Sequence, residues 1–103
     1  MKIVNLKFYV AEKQRHNGKL LYEWLLEEAK KIGAPGGSAF RAITGFGRHG
    51  RMHEETFFEL AGELPIQVEI VLESALADRL IDALRGYQLN LFFVRYEVES
   101  GIV

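Results

Sequence analysis

The sequence predicts an α+β fold in which two amphipathic helices cover one face of a four-stranded antiparallel sheet. Three observations predict it. Four short segments alternate apolar and polar residues with the period of two that marks a strand. Two longer segments repeat apolar residues every three to four positions, as a helix with one buried face does. Their order along the chain is strand, helix, strand, strand, helix, strand. With 103 residues, 49% apolar and 26% charged, the chain reads as one compact domain over 1–103 and not as a disordered regulator.

The first strand spans 2–10, with Val4, Leu6, Phe8 and Val10 on one face and Asn5 and Lys7 on the other. A helix over 19–32 follows, its stripe made by Leu21, Leu25, Ala29 and Ile32. Asn17 is its expected N-cap and Gly33 its stop. Residues 33–38 read as a turn, 39–46 as the second strand, and 47–63 as a polar connection containing glycine. After Pro65 the third strand points Ile66, Val68, Ile70 and Leu72 inward and Gln67 and Glu69 outward. Ser74 is the expected cap of a second helix with the stripe Leu76, Leu80, Ala83 and Leu84, ending at Gly86. In the last strand, 91–98, Phe92, Val94, Tyr96 and Val98 share a face.

This βαββαβ order is the ferredoxin-like arrangement. The sheet face away from the helices is expected to carry Asn5, Lys7, Arg41, Phe93, Arg95 and Glu97. Together with Ile3, Ile43 and Leu91 this mixture suits a subunit interface. RNA-binding domains of the same topology need stacking aromatics on both central strands, and the third strand offers Gln67, Glu69 and Val71 instead. The formal net charge of -1 also lacks the basic excess of a phosphate-neutralising protein. Nucleic acid is therefore not an expected partner.

No cysteine is present, which excludes disulfides, thiolate catalysis and Cys-ligated metals. No signal-peptide pattern and no apolar run of the roughly 20 residues a membrane helix requires are visible. The expectation is a cytoplasmic protein that is not embedded in a membrane.

The topology brings three connections to one pole: 11–18, 47–63 and 86–90. They hold or border Lys13, Arg15, Lys19, Arg48, Arg51 and Arg85, and all three histidines, His16, His49 and His53. Guanidinium forks, lysine charges and loop N–H groups suit phosphate or carboxylate ligands. Gly45, Gly47 and Gly50 match G-x-G-x-x-G, but a dinucleotide fold would need a long helix and a parallel strand to follow. The glycines read instead as releasing the strand and letting a ligand approach the backbone. His49 and His53, four apart, could align two metal ligands on a helix, with His16 as a third. No G-x-S-x-G or other nucleophilic triad is recognisable.

Gly45-Phe46-Gly47-Arg48, then a polar loop, then 64–71 (Leu-Pro-Ile-Gln-Val-Glu-Ile-Val), resembles the corresponding stretch of the nitrogen regulatory protein PII family. Val10-Ala11-Glu12-Lys13 with His16, Gly18 and Lys19, followed by Leu21-Tyr22-Glu23, is similar to a smaller PII-like family of undefined function. The resemblance implies a homotrimer whose open sheet faces pack inward. It also implies adenine-nucleotide binding in clefts between subunits, and a long loop that reaches partners such as membrane transporters. By position Gly45, Gly47 and Arg48 match the loop-base motif, with His49 where PII has glutamine; Lys13, His16 and Lys19 lie near it. The sequence departs from PII at 85–88, Arg-Gly-Tyr-Gln, which lacks the phosphate-gripping lysine, and in having no tyrosine between Tyr22 and Tyr87.

The expected function is thus a non-enzymatic PII-like signalling protein. Gly45, Gly47, Arg48, His49, Lys13, His16 and Lys19 would bind a small anion, an adenine nucleotide among the candidates. Phe57, Phe58 and Leu60 would touch the regulated partner, a membrane transporter or another protein. The competing reading is a metal-dependent or hydrolytic enzyme using His16, His49 and His53.

Overall fold

A computed structural model describes residues 1–45 and 65–103. The elements are β1 (Ile3–Ala11), β2 (Arg15–His16), β3 (Lys19–Leu20), α1 (Leu21–Lys31), β4 (Gly37–Arg41), β5 (Pro65–Glu73), α2 (Ser74–Arg85) and β6 (Phe92–Val98). The main sheet runs β4-β5-β1-β6, every neighbouring pair antiparallel. With both helices on one face, this is the ferredoxin-like arrangement that the alternation predicts. Of the sequence expectations, the end of the second strand at Phe46 and residues Gly47, Arg48, His49, His53, Phe57, Phe58 and Leu60 lie outside the described residues.

The core forms where the inward rows of β1 and β5 meet the helices. Leu6, Val68 and Ile70 from the sheet, and Leu21, Leu25 and Ala77 from the helices, are fully buried. Each of these leucine, valine and isoleucine side chains contributes roughly 1.5–3 kcal/mol by leaving water. Alternation predicts both rows correctly because β1 and β5 are central strands, each with a helix layer on one side only.

Four local expectations give way to better-satisfied alternatives. The helix does not begin at Lys19 with Asn17 as cap. Residues 15–20 instead form a tight hairpin, with Arg15 opposite Leu20 and Asn17 and Gly18 at φ 52° and 76°. Positive φ at both central positions is what a hairpin turn needs, and Asn-Gly is the pair that tolerates it best. The second strand runs from Gly37 to Arg41, not 39–46. A Cβ on Gly37 would stand 2.9 Å from Leu26 Cδ2, so the missing side chain lets α1 lie against β4.

Ser74 opens α2 without capping it. Its N–H donates to the Lys2 carbonyl at 2.9 Å, and its hydroxyl accepts from Arg95. The buried stripe is Ala77, Leu80, Ile81 and Leu84, and Ala83 is exposed.

The outer strands reverse the expected facing. In β6, Phe93, Arg95 and Glu97 sit opposite Phe8, Leu6 and Val4, hence on the helix side; Phe92, Val94 and Tyr96 sit opposite Tyr9, Lys7 and Asn5 on the open side. Arg41 likewise pairs with Ile66 on the helix side, while Phe40 pairs with Gln67 on the open side. An edge strand is only half covered, so its polar residues find water or partners at the rim of the helix layer. The apolar row is free to face outward.

Candidate functional site

The loop pole is built around the exit of β4. Ala42 N–H donates to the Pro65 carbonyl at 3.0 Å, which pins together the two ends of the connection that leaves the sheet here. One residue earlier, Arg41 donates through Nε to Glu12 Oε2 at 2.9 Å and through Nη2 to the same oxygen. This clamp ties β4 to the turn after β1, which is itself closed by Gln14 N–H to the Ala11 carbonyl at 3.1 Å. The guanidinium holds the Glu12 carboxyl below its ordinary value, chiefly by hydrogen bonding, and Lys13 adds to the effect. Arg41 is raised in turn. Lys13 is exposed on this turn, and Gly45 has open space around its Cα.

The other predicted residues are held elsewhere. Lys19 Nζ donates to Glu27 Oε1 at 2.6 Å, an exposed pair between β3 and α1. His16 is half-buried, its ring edge-on to Trp24 at 4.3 Å and to Tyr87 at 5.1 Å, while Trp24 and Tyr87 meet at 5.1 Å. Its Nε2 is buried without a hydrogen-bond partner. Three rings thus lock the 15–20 hairpin, α1 and the connection after α2 into one rigid corner. Sequence reasoning missed both the clamp and the corner. Placing Ala39 inward by alternation would have put Arg41 on the same side, and the Asn17-Gly18 pair would have announced the hairpin.

The open sheet face is the second feature. Phe40 is 53% exposed, Phe92 51% and Tyr96 44%. Phe40, Gln67, Tyr9 and Phe92 form one cross-strand row, with Tyr9 and Phe92 rings 5.8 Å apart. Lys7 lies 5.4 Å from the Tyr96 ring centre, and its ammonium is raised above its ordinary value, first by hydrogen bonding to Tyr96. Asn5 donates to the Tyr96 hydroxyl at 3.2 Å, but its own Oδ1 is buried and unpartnered.

Residues 3–99 match the family DUF190, described as Uncharacterized ACR. The chain belongs to this family. Among relatives of the DUF190 chain, a UPF0166 protein from Aquifex aeolicus (strain VF5) is 35% identical over 81 residues, 79% of this chain and 77% of the relative. A UPF0166 protein from Methanocaldococcus jannaschii is 32% identical over 66 residues, 64% of this chain and 60% of the relative. In three dimensions the chain is similar to the crystal structure of a Thermus thermophilus protein for which a PII-like signalling role has been suggested. The TM-score is 0.52 at 22% identity, covering 93% of this chain and 85% of that one. The fold of this DUF190 chain is therefore PII-like. Among its described residues no helix is long and apolar enough to cross a membrane.

Proposed function

We propose that this DUF190 chain is a non-enzymatic PII-like regulatory protein. It assembles as a homotrimer through its open sheet faces and binds a small anion, an adenine nucleotide among the candidates, in the clefts between subunits. The 47–63 loop carries the signal to a partner, a membrane transporter or another regulated protein.

The observation that carries this reading is the open face itself. Exposed aromatic rows on a small chain are the surface an obligate interface uses, and water is a poor covering for them. Covering the face would set the loop pole of one subunit beside its neighbour. In this reading Gly45, Gly47, Arg48 and His49 bind the ligand together with Lys13, His16 and Lys19, and Phe57, Phe58 and Leu60 contact the regulated partner.

Calorimetry with AMP, ADP, ATP, cyclic nucleotides and simple carboxylates tests the ligand. Arg48→Ala removes a charge-assisted contact, so the affinity of the nucleotide that binds falls about ten- to a hundredfold while the melting temperature holds. A variant that loses its assembly but keeps that affinity would make Arg48 a structural residue. The metal-dependent alternative would require His16 to leave the Trp24 and Tyr87 rings. Stoichiometric zinc, lost in His53→Ala, would be its signature.

A further inference from the structure

The seam between α2 and β6 is closed at one end and open at the other. Near the start of α2, Arg95 crosses it from the strand. It donates to Asp78 Oδ1 at 2.7 Å, to the Ser74 hydroxyl at 2.7 Å and to the Ser74 carbonyl at 3.1 Å. Near the end of α2, Arg85 bonds back along its own helix to Asp82 at 3.2 Å instead of crossing to the strand. There the helix, the 86–91 connection and the sheet enclose a groove of about 530 Å³, within the range of about 300–1,000 Å³ common for small-molecule sites.

The groove has an apolar floor and a polar rim of comparable extent. Phe8, Ile81, Leu84 and Phe93 make the floor. Arg85, Gln88 and Asn90 supply the polar groups, and no lysine or carboxylate is among the described lining residues. Gln88 and Asn90 both stand at φ 55°, a left-handed conformation that side chains other than glycine adopt at a cost. Tyr87, between α2 and these residues, is fixed by the His16 and Trp24 rings. The wall is therefore tied at Tyr87 to the His16–Trp24 corner.

We propose that this groove binds a small amphipathic acid, its apolar body on the Phe8–Phe93 floor and its carboxylate on Arg85. One guanidinium matches one carboxylate, whereas a polyphosphate would leave most of its charge unpaired. The Arg85–Asp82 pair is exposed on both sides, at 70% and 74%, so exchanging it for a ligand carboxylate costs little. The groove lies beside β6, and the Arg41–Glu12 clamp at β4, the opposite edge of the sheet. The acid site is thus set across the sheet from that clamp, although its 86–90 wall belongs to the same pole as the 47–63 connection.

Octanoate and 3-phenylpropionate, titrated into methyl-labelled protein with octanol as the uncharged control, test it. Saturable shifts are expected at the methyls of Ile81, Leu84, Leu89 and Leu91. Arg85→Gln alters an exposed helix-end residue and should leave the remaining spectrum unchanged. It should weaken octanoate about two- to fivefold and octanol hardly at all. The proposal is overturned by any of three results: shifts confined to Val71 and Val94 on the open face, shifts that never saturate, or an octanoate affinity indifferent to Arg85→Gln. Shifts that follow protein concentration without added acid would give the groove to a second copy of the chain, and also overturn it.

Discussion

β5 and β6 both alternate apolar and polar residues, yet they use the alternation in opposite directions. In β5 the apolar row, Ile66, Val68, Ile70 and Leu72, is buried beneath the helices. In β6 the apolar row, Phe92, Val94 and Tyr96, faces away from them, and Arg95 of the opposite row reaches the start of α2 while Glu97 pairs with Lys2 in water. The difference comes from position in the sheet. β5 lies between β4 and β1, so an inward charge would be stranded in the core. β6 is an edge, where Arg95 reaches Asp78 and Ser74 without leaving water entirely. Alternation therefore reports that a strand has two unlike faces. It does not report which face meets the core and which meets another molecule.

The comparison predicts unequal costs of substitution. Ile70→Ala removes a fully buried side chain from the β5 row, and should lower the unfolding free energy by about 2–5 kcal/mol in a urea titration. A loss under about 1 kcal/mol would mean that the row is not the core. Arg95→Ala acts at the half-covered seam, leaving Asp78 and the Ser74 hydroxyl to water. A cost of about 1–2 kcal/mol is expected there, with faster amide exchange in the first turn of α2.

The smallest effect belongs to the clamp at the loop pole. Arg41 holds the Glu12 carboxyl below its ordinary value of 4.5. A carboxyl lowered in the folded state adds stability that is complete above that value and fades as pH falls through the lowered one. Thermal melts of Glu12→Gln against the wild type should thus differ at neutral pH and converge in acid. A difference that grew toward acid would reverse the assignment.

How much was legible in the sequence follows from the same physics. Val4 to Val10 and Ile66 to Leu72 could be placed because central strands bury one face without exception, and the element order then dictated the topology. Helix ends were less legible. Leu20 opens α1 with extended backbone and no side-chain cap, since the preceding hairpin, through the bond from Leu21 N–H to the Gln14 carbonyl at 2.7 Å, does the work of a cap. At the candidate site the charge-bearing turn with Lys13 was visible. The engagement of His16 with Trp24 and Tyr87 was not, because it joins residues 71 positions apart that no local pattern links.

The solution mass of the purified chain tests most directly the claim that the outward apolar row is an assembly surface. Light scattering at micromolar concentration should report three copies of the 11.8 kDa chain. Val94→Asp, which places a charge at an exposed position of that row, should reduce the mass to one copy while the helical circular dichroism signal is kept. A wild-type protein that is monomeric at that concentration, or a Val94→Asp variant that keeps the full assembly, would contradict it.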